Sequence, residues 1–189
     1  MNFTQDWFTQ NIKGIESVLK LLKEKKSFLE IGSFEGRSAC WYMENALDDD
    51  GTLVCIDSFG GSLEHTDFNF EDIRARFYAN TEQAKKPGQE LRVIEQHSVQ
   101  ALAKLICERQ QFDFIYVDGS HTSPDTLTDA CMAFPLLKQG GAMIFDDYLW
   151  EMHTAPIQSP KWGIDVFLNM FCQKVQLALI GYQVGIIKT

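Results

Sequence analysis

Apolar positions along this chain change their period repeatedly, and each change marks an element. Phe8, Ile12, Ile15, Leu19 and Leu22 recur at helical spacing. They predict an amphipathic N-terminal helix over Trp7–Lys25 that covers an edge or face of a sheet. Short runs of strand length follow at Ser27–Ile31, Thr52–Ile56, Leu91–Glu95, Phe112–Val117 and Ala142–Phe145. Helical segments alternate with them: Arg37–Leu47, Phe70–Asn80, Val99–Glu108, and one opened by Pro124 with a buried stripe of Leu127, Ala130, Cys131 and Phe134. Another helix is expected near Ile164–Phe171. The chain then closes on Val175–Ile180, a Gly181-Tyr182 turn and Gln183–Lys188, which reads as a hairpin. The fourth run is apolar almost throughout, as a central parallel strand should be. The alternation predicts an α/β fold.

The first strand runs into Glu30-Ile31-Gly32-Ser33-Phe34-Glu35-Gly36. Two glycines let the backbone turn with positive φ and let a ligand approach. In open α/β sheets, ligands bind beyond the carboxyl ends of the strands, where this loop lies. The spacing is not Gly-x-Gly-x-x-Gly, because Ser33 and Phe34 leave no glycine two residues after Gly32. Glu30 and Glu35 flank the turn, which disfavours a polyphosphate and favours a ligand with a cationic end. S-adenosylmethionine (SAM) carries an ammonium, a sulfonium and no phosphate. Glu30-x-Gly32-x-x-x-Gly36 resembles the first motif of the class I SAM-dependent methyltransferases. That resemblance implies cofactor contacts from Glu30, Gly32, Ser33 and Gly36. A bare strand-to-helix turn is the alternative.

Two later strand ends fit the same frame. Asp57 closes the second strand, with Ser58 beside it, where a carboxylate usually grips ribose hydroxyls. Gln96-His97-Ser98 follows the third strand, and Ser98 is placed to cap the next helix. In the methyltransferases this turn borders the adenine. Both roles are open to Ser98.

Composition excludes several partners. The 189 residues carry a net charge of −9, with 45% hydrophobic and 23% charged residues. An acidic chain disfavours nucleic acid and anionic lipid surfaces, so neither is expected as a partner. The length fits one domain over residues 1–189 with an ordinary core. Five cysteines (Cys40, Cys55, Cys107, Cys131, Cys172) form no C-x-x-C and read as buried thiols of a reducing compartment. No apolar run approaches membrane-spanning length and no leader pattern opens the chain, so a cytoplasmic protein is expected. The basic run Lys20–Lys26 reads as a solvated helix end. Asp48-Asp49-Asp50-Gly51 reads as a solvated turn, since it lacks the spaced oxygens of a calcium loop.

The most specific resemblance lies further on. Val117-Asp118-Gly119-Ser120-His121, Leu136-Leu137-Lys138-Gln139-Gly140-Gly141 and Phe145-Asp146-Asp147-Tyr148 look like a small bacterial family of class I methyltransferases. They are also similar to catechol-type and macrolide-sugar O-methyltransferases, which hold Mg²⁺ at these strand ends. The resemblance implies a Rossmann-like, doubly wound seven-stranded sheet in the order 3-2-1-4-5-7-6 with strand 7 antiparallel. It also implies cofactor contacts from Asp118 and Gly119.

In that order strands four and five are neighbours, so Asp118, Asp146 and Asp147 would crowd three carboxylates together. Crowded like charges raise one another's pKa unless a cation sits among them. Mg²⁺ or Ca²⁺ suits such oxygen ligands. The alternatives are a helix-capping aspartate or a cationic substrate. The catechol-type enzymes usually place Asn as the third ligand, and Asp147 departs from that.

His121 is the candidate general base, with Asp118 beside it as the second catalytic residue. A metal-ligand or outer-shell role and a purely structural role are the other readings of His121. His65, His153, Trp150 and Trp162 sit in segments that would lid or wall a site. The expected activity is methyl transfer to a hydroxyl of a small molecule or sugar, with a homodimer compatible. A nicotinamide-dependent oxidoreductase and a non-catalytic SAM-binding relative are the rival readings.

Overall fold

The computed structural model describes residues 1–61, 67–150, 155 and 158–189. His65, His153 and Pro156 lie outside the described residues. The strands are β1 (Ser27–Ile31), β2 (Thr52–Ile56), β3 (Glu90–Ile94), β4 (Phe112–Val117), β5 (Leu137–Phe145), β6 (Val175–Ile180) and β7 (Val184–Lys188). They form one seven-stranded sheet in the order β3-β2-β1-β4-β5-β7-β6. β1 to β5 pair in parallel, and β7 runs antiparallel to both β5 and β6.

The period-two alternation of each strand feeds two cores. Leu29, Ile31, Ile115 and Val117 pack with α4 (Ser98–Cys107), α5 (Ser123–Ala133) and α6 (Pro160–Met170). Phe28, Phe114 and Tyr116 face the other way, toward α1 (Ile12–Leu19), α2 (Arg37–Asn45) and α3 (Phe70–Ala84). β4 is buried at every residue, which explains its unbroken apolar run.

Strand order reverses between β1 and β4, and the register there places the site. Ile31 pairs with both Ile56 and Val117, and Val117 pairs with Phe145. The ladder continues one residue further, with Gly32 N donating to Ile56 O at 2.8 Å, Asp118 N to Ile31 O at 2.8 Å and Asp146 N to Val117 O at 3.0 Å. Gly32, Asp57, Asp118 and Asp146 therefore leave the sheet at one level. Such a topological switch point is where open α/β sheets hold ligands.

Several boundaries differ from expectation. The N-terminal helix is shorter than Trp7–Lys25. A 3₁₀ turn at Thr9–Asn11 precedes α1, which ends at Leu19. Asp6 starts it by accepting from Thr9 N at 3.0 Å. Beyond Leu19 the chain must turn to enter β1 at Ser27. α3 runs on to Ala84, and β5 begins at Leu137 with a register shift opposite Phe112/Phe114. Ser98 is the first residue of α4 and makes no side-chain cap, so the capping role is set aside. The thiols are free, but Cys107 and Cys172 are exposed, against the expectation of buried cysteines. Among the described residues, no helix is long and apolar enough to cross a membrane.

Candidate active site

A cleft of about 490 Å³ opens over the switch point. Gly32, Ser33, Asp57, Ser58 and Ser98 line one half, and Asp118, Gly119, His121, Asp147 and Tyr182 the other. Trp7, Phe34 and Phe68 add an aromatic wall, with Trp7 and Phe34 ring centres 5.2 Å apart.

The glycine loop is built for close approach. Gly32 has φ +84°, and a Cβ there would lie 1.9 Å from the Asp118 carbonyl oxygen. The loops after β1 and β4 thus touch backbone to backbone. Gly36 caps α2 at φ +79°, where a Cβ would meet the Phe77 ring at 2.9 Å. It packs against α3 behind the loop and turns the chain into α2. Asp57 anchors the loop. Its Oδ2 accepts from Ser33 N and Phe34 N, both at 2.8 Å, and its Oδ1 accepts from Phe59 N at 2.7 Å. Ser58 shapes the next turn by accepting from Gly60 N at 3.2 Å.

The two acidic residues of the loop are not open charges. Glu30 is wholly buried beneath it and accepts from Ser33 Oγ at 2.5 Å and Cys55 Sγ at 3.4 Å. Burial pushes its pKa to about 7, against the lowering effect of the Ser33 hydroxyl. Glu30, expected among the cofactor contacts, lies beneath the loop, and its side chain is not among those that line the cleft. Glu35 accepts from Thr4 N at 2.6 Å and pairs with Arg76 at 3.0 Å.

Across the cleft, Asp118, His121 and Asp147 bring one ligand atom each to within 4.8 Å of one another. His121 Nε2 lies 2.9 Å from Asp147 Oδ2 and 3.8 Å from Asp118 Oδ1. The His121 ring stands edge-on to Trp150, centres 4.4 Å apart. Asp147 adopts φ +57°, a left-handed conformation that aims its carboxylate at His121. Tyr182, on the β6–β7 turn, donates to Asp147 Oδ1 at 2.7 Å. Asp118 is 30% open to the cleft at its side chain. Desolvation and the Asp146 and Asp147 carboxylates push its pKa well up, with His121 opposing.

Asp146, expected among the metal ligands, is not in this group. Its side chain turns into the protein, where Asn11 Nδ2 donates to both oxygens at 3.2 and 3.1 Å. The Tyr116 hydroxyl donates to Oδ2, and the Asp147 N–H to Oδ1 at 2.8 Å. Gln183 in turn donates to the Tyr116 oxygen at 3.0 Å. Burial and the neighbouring Asp147 charge raise the Asp146 pKa to about 6. The backbone enters the left-handed region at Asp147, and of Asp146-Asp147 one carboxylate joins His121 and Asp118 while the other braces the core. Histidine takes the place expected of the third aspartate.

A family described as a methyltransferase domain matches residues 29–148, and the chain belongs to it. With the sheet order above, the chain is a class I SAM-dependent methyltransferase. Among solved structures it is similar to the O-methyltransferase TomG of Streptomyces achromogenes in complex with SAM. That likeness is 19% identical, spans 98% of this chain and 82% of TomG, and has a TM-score of 0.66. An O-methyltransferase from Bacillus cereus in complex with SAH is 19% identical over 99% of this chain and 84% of its own, TM-score 0.66. MycE of the mycinamycin biosynthetic pathway, in complex with Mg and SAH, is 17% identical, TM-score 0.61. The match spans 100% of this chain and 51% of MycE. At these identities the likeness shows the fold. Among proteins of curated function, none matches.

Asn11, Tyr116, Tyr182 and Gln183 carry the site's supporting hydrogen bonds and were not singled out from the sequence. Tyr182 had one local signal, its place in the glycine-bearing turn of a hairpin. Asn11 and Tyr116 had none, since each lies in an apolar stripe whose period names only its core role.

Proposed function

We propose that this enzyme transfers a methyl group from SAM to a hydroxyl of a small molecule or sugar, with a divalent cation held by Asp118, His121 and Asp147. The observation that carries the reading is the position of this trio in the same cleft as the glycine loop, with the Asp118 backbone against Gly32. The donor set fits a cation. Two carboxylates and an imidazole converge from the ends of β4 and β5, close enough for one ion to meet all three. Oxygen donors favour Mg²⁺, Ca²⁺ or Mn²⁺. When bound, such an ion supplies a Lewis acid that lowers the pKa of the acceptor hydroxyl and orients it.

The residues of the chain do the positioning. Gly32 and Ser33 offer a close backbone surface to the amino-acid end of the cofactor, Asp57 faces the ribose, and Ser98 and Gly119 flank the base. The acceptor oxygen attacks the sulfonium methyl in line, the S–CH₃ bond breaks and neutral thioether leaves, while the hydroxyl proton passes to solvent. Alignment of nucleophile and methyl is the main contribution asked of the protein. His121 serves as a ligand in this reading. Its Nε2 is directed at Asp147 and Asp118, between which the ion would sit.

Titration with S-adenosylhomocysteine (SAH), with and without Mg²⁺ or Mn²⁺, tests both halves. SAH binding and a separate heat for the ion are expected. Absence of SAH binding refutes the cofactor reading, and methyl transfer unchanged in EDTA refutes the metal.

A further inference from the structure

The carboxylates on the glycine-loop side of the cleft are all engaged within the protein. Glu35 accepts from Thr4 N at 2.6 Å and Thr4 Oγ at 2.8 Å, and pairs with Arg76 at 3.0 Å. Glu30 is wholly buried under the loop. Asp57 accepts from the N–H groups of Ser33, Phe34 and Phe59. A cationic ligand on this side therefore meets some other kind of surface.

That surface is aromatic. Phe34, inside the loop, has φ +48°, a left-handed conformation that glycine takes freely and a bulky residue does not. Its ring centre lies 5.2 Å from that of Trp7 and 5.3 Å from that of Phe68, and all three side chains line the cleft. Trp7 is brought there by a pinned strap. Before it, Thr4 is tied to Glu35, and the Gln5 carbonyl oxygen accepts from Arg37 Nε at 2.9 Å. After it, Asn11 donates to Asp146, beside the trio. The strap thus crosses from the glycine loop to the acceptor side, the interval in which a transferred methyl has to lie. Trp7 is nonetheless 50% exposed.

The electron-rich face of an aromatic ring attracts cations, and aromatic cages bind quaternary ammonium groups this way. A sulfonium is a cation of the same kind, with three carbon substituents and no N–H or O–H to donate. The thioether left after methyl transfer has lost that charge.

We propose that Trp7 and Phe34 recognise the cofactor's sulfonium through their ring faces, so that the site holds SAM more tightly than SAH. Methyl transfer would then weaken the grip on the product and favour its release. The inference rests on the reading that SAM occupies this cleft. A wall that merely excludes water would hold the two ligands alike.

The test is calorimetric titration of SAM and of SAH, with Mg²⁺ present, into the wild type, W7L, F34L and the double variant. Leucine keeps an apolar side chain and removes the ring face. The wild type is expected to prefer SAM by about fivefold or more. W7L should lower that ratio at least about twofold, through weaker SAM binding, and the double variant should bring it near one. A ratio retained in the double variant overturns the proposal, and so does an equal fall in both affinities. If the variants carrying F34L do not fold, W7L alone decides it by its own ratio. A wild type that binds SAH as tightly as SAM overturns this inference and leaves the cofactor reading standing. A wild type that binds neither overturns the cofactor reading itself.

Discussion

The Tyr182 hydroxyl donates a 2.7 Å hydrogen bond to Asp147 Oδ1, while His121 Nε2 meets the other oxygen at 2.9 Å. The carboxylate is thus gripped from two sides, by the β6–β7 turn and by the loop after β4. That grip offsets the cost of the left-handed backbone at Asp147, φ +57°. The antiparallel hairpin that ends the fold therefore has a task at the site as well as in the sheet.

Tyr182→Phe removes one half of the grip without touching the trio. Tyr182 is 38% exposed, so the melting temperature should change little. Affinity for Mg²⁺ or Mn²⁺, read by calorimetry, should fall by roughly tenfold, the usual effect of losing a partner that orients a ligand. An unchanged affinity would show that the hydroxyl does not hold Asp147 in place.

Gly32→Ala tests the contact between the two loops. A Cβ at this position would stand 1.9 Å from the Asp118 carbonyl oxygen, and φ is +84°. Backbone clash and left-handed strain together should cost about 3 kcal/mol or more. The loop that carries Asp118 would have to move, so SAH binding and ion binding should weaken together. Denaturant unfolding checks the first effect and paired titrations the second. Loss of one binding event alone would show that the loops are not mechanically joined.

The fold was legible because its signals are local and repeated. β4 reads as a central strand from its apolar run, and the loop at Gly32 to Gly36 reads as a turn from backbone necessity. The sheet order rested on the resemblance, and the structure has that order. What the pattern could not show was direction. Asp146 and Asp147 are chemically identical neighbours, and the left-handed backbone at Asp147 separates them, so that one meets Asn11 and Tyr116 while the other meets His121 and Tyr182. Glu30 likewise looked like a charge at the mouth of the loop, yet the parity of β1 buries it among Cys55 and Ser33. Contacts made across more than a hundred residues, such as Asn11 with Asp146, leave no trace in spacing.

Glu30 gives a pH prediction with a definite sign. Burial raises its pKa from the ordinary 4.5 to about 7. The folded state therefore binds a proton that the unfolded chain has released between these values. The favourable contribution is complete below about 4.5 and is lost as pH rises through about 7. At roughly 1.4 kcal/mol per pKa unit the loss is on the order of 3 kcal/mol. Glu30→Gln keeps an acceptor for Ser33 and cannot ionise. Its stability relative to wild type should improve between pH 5 and pH 8, read as the difference in unfolding free energy. A constant difference across that range would place the ionisation elsewhere.

The pair Asp146 and Asp147 gives the sharpest contrast, because adjacent substitutions should fail in opposite ways. Asp146→Asn sets an amide against the donors of Asn11 and the Tyr116 hydroxyl, in a residue 8% exposed. A buried polar mismatch of that kind costs about 1–3 kcal/mol, so the melting temperature should drop. Ion affinity should fall only a few-fold, since no ligand atom is removed. Asp147→Gly does the reverse. It removes the ligand atom and a charge that presses on Asp118 and Asp146, and glycine accepts the left-handed backbone there, so the ion-free protein should be about as stable as wild type. Its affinity for Mg²⁺ or Mn²⁺ should fall by more than the roughly 100-fold upper range seen for outer partners. Thermal unfolding with and without the ion separates the two variants, because the ion should raise the melting temperature of Asp146→Asn and leave Asp147→Gly unmoved. An ion-induced shift retained in Asp147→Gly and lost in Asp146→Asn would move the metal to the buried carboxylate and dismantle the trio.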